Sequence, residues 1–134
     1  MPSDSVLIDT HVLLWWQAGS ERLSPVALDL IESSERVLVS PITFWEVAML
    51  VEKGRVGLDR PVTAWTNDIT AATVGVAELS PHVAVTAGTL EDFHGDPADR
   101  LIYATAQVLA IPLVTKDRRL ADYAERTGSV TVRW

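Results

Sequence analysis

The sequence predicts an α/β fold, a single three-layer α/β/α domain in which helices cover both faces of a mostly parallel sheet. Short apolar runs of strand length alternate with longer segments of helical period, which is typical of βαβ units. Several helical segments also begin with Ser-Pro or Asp-Pro, a pair that suits the N-cap and the first helical position. The 134 residues contain no internal repeat or linker, so we expect one domain over residues 1–134.

The predicted strands are short and apolar on both faces, as expected of strands covered by helices on either side. The helices between them carry clear end signals. Ser24 and Pro25 begin one helix, and Gly19 and Gly54 are suited to C-caps. The predicted strands are 5–9, 37–40, 74–79, 111–115 and 129–134, and the predicted helices are 10–19, 24–35, 41–54, 62–72, 80–90, 96–110 and 116–126.

Composition and charge limit the function. The formal net charge is −7, with a pI near 4.8, and such a field repels the phosphates of nucleic acids. A nucleic-acid partner would therefore need a local basic rim or a bound cation. The chain has no cysteine, which excludes disulfides and thiolate metal sites and fits a reducing compartment. With no apolar run of membrane-spanning length and no signal-like N-terminus, a cytoplasmic protein is expected.

Four acidic residues stand where predicted strands end or predicted helices begin. Asp9 ends the first strand, Asp117 follows the fourth, and Glu46 and Asp99 lie in early helical turns. These ends meet at one edge of a parallel sheet, where ligands bind. Carboxylates gathered there repel one another unless a cation neutralises them. Oxygen ligands without cysteine favour Mg²⁺ or Mn²⁺, and such a site is suited to phosphodiester hydrolysis.

The acids also have structural interpretations that involve no ligand. Asp96 can cap a helix whose dipole Asp99 complements. Thr43 and Glu46 match a T-x-x-E capping box, and Asp117 can cap the helix that follows it. Asp9 is harder to explain in this way, because an unpaired charge at the end of a buried strand is costly.

Four segments, in their order and spacing, resemble the motifs of PIN-domain nucleases and, more narrowly, the VapC-type toxins of bacterial toxin–antitoxin pairs. The resemblance extends from about residue 5 to about residue 120. It implies a PIN-like fold, metal-dependent endonucleolytic cleavage of RNA, a cognate antitoxin that covers the acidic cleft, and a homodimer. The segments are LIDTHVLLWW, SPITFWEVAML, HGDPADRLIYATA and PLVTKDRRL.

The resemblance assigns roles to individual residues. The acids that match those holding Mg²⁺ or Mn²⁺ in that family are Asp9, Glu46, Asp99 and Asp117. Our working hypothesis is that the three aspartates are the nearest ligands, and that Glu46 binds directly or through water and helps to deprotonate the nucleophile. Asp96 matches the first acid of a DPxDR variant and is expected to cap a helix or to lie in an outer shell. Thr10 and Thr115 match hydroxyls near the metal. The residues expected to form a basic rim, which can alternatively be a solvated helix face, are Arg100, Lys116, Arg118 and Arg119.

Within this set, a solvated helix face is favoured more for Arg119 than for Arg100. Arg100 stands at a helix start, where the dipole disfavours a cation, so a carboxylate or a phosphate is expected to recruit it. His94 is expected to be a cap or surface residue. Trp15 and Trp16 are adjacent in a helix and point in different directions, so one of them is either exposed for a partner or half-buried. Trp45 is expected to pack beside the site.

Two rival functions remain open at the level of sequence. A receiver-like phosphoacceptor domain also uses strand-end aspartates, Mg²⁺ and a late lysine, which Lys116 could supply. It needs a phosphoacceptor aspartate after a central strand, where this chain has Ser40, and an adjacent acidic pair, where it has Asp9 alone. The other rival is a non-catalytic PIN-like interaction module whose acids only cap helices and meet a basic partner.

Overall fold

A computed structural model describes residues 4–134 and contains a five-stranded sheet in which all four strand pairings are parallel. The strand order is β3-β2-β1-β4-β5. The predicted α/β fold is confirmed, although the last three strands are shorter than predicted. The strands are β1 Ser5–Ile8, β2 Arg36–Val39, β3 Gly75–Val76, β4 Leu113–Val114 and β5 Val132–Arg133.

Seven helices connect these strands in the described part of the chain, each where the sequence predicts one. Proline fills an early position of several helices, with a serine or aspartate side chain as cap. Ser24 accepts a hydrogen bond from the Ala27 amide, for example. The helices are α1 Thr10–Ala18, α2 Pro25–Ser33, α3 Pro41–Glu52, α4 Val62–Ala72, α5 Pro81–Gly88, α6 Pro97–Leu109 and α7 Arg118–Thr127.

The core lies on both faces of the sheet, because alternate strand residues point to opposite sides. Ile8 and Val114 belong to a buried cluster with α1, α2, α3 and α4. Leu7 and Leu113 belong to a second cluster with α6 and α7, and α5 packs on α6. Leu7 and Ile8 are both fully buried, so β1 is covered on each face, as the predicted three-layer arrangement requires.

The order of the strands creates a switch point between β1 and β4. From β1 the chain first moves outward to β2 and β3, then returns to the other side of β1 through β4 and β5. Ile8 pairs with Val114, so the two strands end side by side. A crevice forms at such a reversal, beyond the carboxyl ends of the strands.

The start of α3 differs from the predicted capping box. Ser40 is the N-cap, and its side chain accepts a hydrogen bond from the Ile42 amide. Thr43 is fully buried inside the first turn, so the T-x-x-E interpretation of Thr43 and Glu46 is wrong. The side chain of Glu46 therefore does not cap the helix, and it faces the edge of the sheet at which the strands end.

Within residues 4–134, we find no helix that is both long enough and apolar enough to span a bilayer.

Candidate active site

A cleft of about 450 Å³ opens at the switch point, and all four predicted acids line it. Asp9 follows β1 and caps α1, accepting a hydrogen bond from the Val12 amide at 3.0 Å. Asp117 follows β4 and caps α7, accepting one from the Arg119 amide at 2.8 Å. Glu46 projects from α3 and Asp99 from the first turn of α6. The tertiary fold thus gathers four carboxylates that are far apart in sequence.

The inner wall of this cleft consists of Asp9 and Glu46, together with the two threonines that hold them. Thr115 donates a hydrogen bond to Oδ2 of Asp9, and Thr10 donates one to Oε1 of Glu46. Both threonines are buried. The predicted hydroxyls near the site are therefore present, and each one orients a carboxylate without adding charge.

The outer wall consists of Asp99 and Asp117, and Arg119 bridges them. Its Nη2 lies 3.3 Å from Oδ2 of Asp99 and 3.1 Å from Oδ2 of Asp117. Nε2 of His94 lies 2.7 Å from the same Asp99 oxygen. The two carboxylates consequently lie within two hydrogen-bond lengths of each other.

Burial and mutual repulsion disfavour ionisation of three of these acids. Burial raises the pKa of Asp9, although the bonds from Thr115 and Val12 oppose it. Burial likewise raises the pKa of Glu46, and the charge of Asp99 adds to that effect. Burial also raises the pKa of Asp99. A bound cation would offset the free-energy cost of ionising these buried acids.

Asp117 differs from the other three acids. Burial by itself would raise its pKa, but the hydrogen bonds and the charge of Arg119 outweigh burial, and the net pKa is lowered. The side chain of Arg119 is 62% exposed. An exposed guanidinium therefore already stabilises one of the candidate ligands in its charged form.

Arg100 and Arg119, both predicted for the basic rim, have different partners. Arg100 was expected to meet a carboxylate or a phosphate, and that expectation is wrong. Its guanidinium donates to the carbonyls of four residues and lies over the Phe93 ring at 5.5 Å. It fastens the loop before α6 and does not line the cleft. Arg119 lines the cleft, as the basic-rim prediction has it, and contacts Asp99 and Asp117 while its side chain stays exposed. The four carbonyls belong to Ala87, Leu90, Phe93 and His94.

The remaining predicted residues divide between the cleft and the surface. Asp96 caps α6 as predicted, accepting hydrogen bonds from two amides, and it also lines the cleft. Lys116 lines the cleft with Nζ 5.8 Å from the Trp15 ring centroid. Trp15 and Trp16 are both partly buried, so the half-buried alternative holds. Trp45 is 51% exposed and is absent from the cleft lining, contrary to its expected place.

His94 is the contact that sequence reasoning missed. It was expected to be a cap or surface residue, yet its imidazole meets Asp99 and stacks on Phe93 at 4.4 Å. The available signal was its position five residues before Asp99, in the loop that leads into α6. A loop of that length lets a side chain return to the helix start.

The donor set fits a hard divalent cation, because oxygen atoms of carboxylates and hydroxyls line the cleft. In the described part of the chain, however, no three acidic or histidine side chains stand together as a preformed metal site. The hydrogen bonds explain this, since each of the four carboxylates is held by its own donor. On the outer wall, where Arg119 already engages both carboxylates, binding of an ion would therefore involve an exchange of partners.

Comparisons with known proteins agree with this architecture. The sequence profile described as PIN domain matches residues 6–126. Ribonuclease VapC22 of Mycobacterium tuberculosis is 45% identical to this chain over 120 residues, which cover 89% of this chain and 92% of that relative.

Two solved structures illustrate the similarity of fold. One is a VapBC2 structure from Rickettsia felis bound to a DNA fragment from its promoter, with a TM-score of 0.66, 15% identity, and coverage of 96% of this chain and 97% of the matched chain. The other is a toxin–antitoxin complex from Klebsiella pneumoniae, with a TM-score of 0.66, 21% identity and 96% coverage of both chains. At these identities the similarity concerns the fold alone.

Proposed function

The chain belongs to the PIN-domain family, and from that premise we propose that it is a metal-dependent endoribonuclease, the toxin of a VapBC-type toxin–antitoxin pair. The observation that carries the proposal is the meeting of Asp9, Glu46, Asp99 and Asp117 in one cleft at the switch point of the sheet. The similarity to a protein named as a ribonuclease supports RNA as the substrate. An RNA substrate fits a cytoplasmic location.

In this proposal Asp9, Asp99 and Asp117 are the nearest ligands of Mg²⁺ or Mn²⁺, and Glu46 binds directly or through water. The ion, when bound, polarises the phosphate and lowers the pKa of a water molecule. Thr115 donates to Oδ2 of Asp9 and so fixes the orientation of this carboxylate, which lines the cleft. The hydroxyl of Thr115 would thus act on the metal indirectly, by orienting one of its carboxylate ligands.

Glu46 is the residue best suited to accept a proton from the attacking water. Burial raises its pKa, and a raised carboxyl pKa is the direction that suits general-base work. Thr10 holds Oε1, while no residue among 4–134 donates a hydrogen bond to Oε2. The free oxygen belongs to a side chain that lines the cleft.

Lys116 supplies positive charge for the RNA backbone in a protein whose net charge is −7. It is exposed, lines the cleft and stands beside the ring of Trp15. A lysine so placed can attract phosphates to an acidic cleft once the carboxylates are neutralised. Of the predicted basic rim, Lys116 and Arg119 line the cleft, and Arg100 and Arg118 do not.

We propose a cognate antitoxin as the protein partner that covers the cleft, supported by toxin–antitoxin complexes among the similar structures. Family resemblance also suggests a homodimer. The receiver-like alternative finds no support, because β2 is followed by Ser40, whose hydroxyl caps α3 where a phosphoacceptor aspartate would be needed.

The test is cleavage of RNA with added Mg²⁺ by the purified chain and by Asp9→Asn. We expect the wild-type activity to disappear in EDTA and the variant to lose more than about 100-fold, the upper range for loss of a mere outer-shell partner. Asp122→Asn removes an exposed acid from α7 and serves as the matched control. Full activity in EDTA, or in Asp9→Asn, would contradict the proposal.

A Mn²⁺ titration by calorimetry separates this enzyme from an inert interaction module. Scattered helix caps give no saturable site, whereas the proposed cleft gives one. Asp9→Asn should abolish the saturable heat without unfolding the protein, because the amide has nearly the same shape and removes a charge that burial disfavours.

A further inference from the structure

Arg119 occupies the outer wall as a cation that belongs to the chain itself. Its Nη2 donates to Oδ2 of both Asp99 and Asp117, at 3.3 and 3.1 Å. Its Nε also reaches Oδ1 of Asp117 at 3.4 Å, and the Asp117 carboxylate accepts the Arg119 amide as well. The guanidinium thus engages both carboxylates of this wall.

The exposure of Arg119 distinguishes it from a structural ion pair. Its side chain is 62% exposed, whereas those of Asp99 and Asp117 are 17% and 26% exposed. It can therefore swing into solvent without opening the core. Arg100 is the opposite case, since several carbonyls hold its guanidinium in place.

A divalent ion and Arg119 need the same oxygen atoms. Oδ2 of Asp99 and Oδ2 of Asp117 both accept from Nη2, and these lone pairs are the ones that a ligand gives to a metal. Two cations sharing those atoms would also repel each other. The bridge by Arg119 is consistent with the absence, within residues 4–134, of a preformed metal site.

We propose that Arg119 is a built-in competitor of the divalent cation: it neutralises Asp99 and Asp117 when no ion is bound and must leave them before they bind one. The inference rests on the proposed metal-dependent function. Metal loading is then an exchange of one cation for another on the outer wall, while the neutral hydroxyl partners of the inner wall stay in place.

The experiment is a calorimetric titration with Mn²⁺ of the wild-type protein, Arg119→Gln, Arg119→Lys and Arg118→Gln. Removing the two ion pairs of this exposed guanidinium should tighten Mn²⁺ binding in Arg119→Gln by about three- to tenfold. Arg119→Lys keeps the charge but loses the planar fork, so its affinity should lie between the two. Arg118→Gln removes the same charge from the adjacent exposed position and should change the affinity less than about twofold.

The outcomes separate this inference from the proposed function. Suppose that the wild type binds Mn²⁺ saturably, but that Arg119→Gln binds it no more tightly than Arg118→Gln does, or more weakly than the wild type does. This result overturns the competition and leaves the metal site intact. Saturable binding that appears only in Arg119→Gln supports competition in its strongest form. No saturable binding in either protein overturns both proposals.

A second measurement follows Arg119 directly. In ¹⁵N-labelled protein, the Nε–H signal of Arg119 is identified by its absence from Arg119→Lys. Adding saturating Mg²⁺ should shift it to the position typical of an exposed arginine, because its bond to Asp117 is lost. A signal that stays unchanged while Mg²⁺ binds would overturn the proposal. Since Arg119 is exposed, we expect the variants to melt within a few degrees of the wild type.

Discussion

The inner and outer walls of the cleft each present two carboxylates, yet neutral hydroxyls hold the first pair and the guanidinium of Arg119 bridges the second. Thr115 and Thr10 are buried partners of the inner wall, fixed by the strand end and helix start on which they stand. Arg119, on the outer wall, is a flexible and exposed partner. The partners of the inner wall are suited to keep their carboxylates oriented, whereas the partner of the outer wall is suited to be displaced by an ion.

This difference has a physical origin. A hydroxyl donates one hydrogen bond and leaves the charge of the carboxylate available to an ion. A guanidinium satisfies the charge itself, so an ion must displace it. The consequence appears at Asp117, whose pKa Arg119 lowers despite burial, whereas burial still raises the pKa of Asp9 and that of Asp99. Substitutions of the carboxylate partners in the two walls should therefore differ in their effect on Mn²⁺ affinity.

The largest effect is expected on the inner wall, in Thr115→Val. Valine keeps the shape but removes the donor to Asp9 and the acceptor of the Asp117 amide, which lies 3.1 Å from Oγ1. Mn²⁺ affinity, measured by calorimetry, should fall about 10- to 100-fold, the usual cost of losing an outer-shell partner. Thr115→Ser restores the hydroxyl and should restore most of the affinity; equal losses in both variants would show that the hydroxyl does not matter.

A smaller effect is expected on the outer wall, in His94→Phe. The phenyl ring preserves the stacking on Phe93 but cannot contact Asp99. Asp99 is then held by Arg119, and Mn²⁺ affinity should fall by about tenfold, the lower end of the same range. His82→Phe is the control, since His82 is exposed at the start of α5. An unchanged affinity in His94→Phe would mean that this contact does not orient Asp99.

The smallest effect concerns the stability of the ion-free protein as pH changes. Burial raises the pKa of Asp9, Glu46 and Asp99 in the folded state, so folding favours their protonated forms. Their contribution to stability increases as pH falls through the folded pKa values and is lost as pH rises through them. Asp117 has a lowered pKa and acts in the opposite direction, at more acidic pH.

In EDTA, the melting temperature should therefore rise by a few degrees as the pH is lowered from neutral towards the ordinary carboxyl pKa of about 4. Asp9→Asn should reduce this rise, because its amide does not titrate. Saturating Mn²⁺ should also reduce it by favouring the charged carboxylates. A melting temperature that falls steadily over the same range, with the wild type and Asp9→Asn in parallel, would contradict the interpretation.

Local signals explain why the fold could be predicted so fully. The period of apolar residues marked each strand and helix, and capping residues such as Ser24 and Asp96 marked where helices begin. The strand ends, and with them the places of Asp9 and Asp117, followed from the same pattern. Thr43 was misassigned because a capping motif can lie inside a helix that Ser40 has already begun.

Partner choice could not be predicted in the same way. Thr115 and Asp9 are 106 positions apart in sequence, and no local rule pairs them. The positions of Arg100 and Arg119 along a helix indicate only the local effect of the helix dipole and do not identify their partners, because several of those partners lie on other segments. The loop before α6 provides carbonyls for Arg100, and α6 itself provides Asp99 for Arg119.

The sequence by itself determined the alternation of strands and helices and the placement of four acids at the edge where parallel strands end, because hydrophobic period and capping act over a few residues. Only the tertiary structure decided which donor each acid receives and which arginine reaches the cleft. Those choices depend on the distances between side chains on different elements, and these are fixed only when the sheet and its helices pack together.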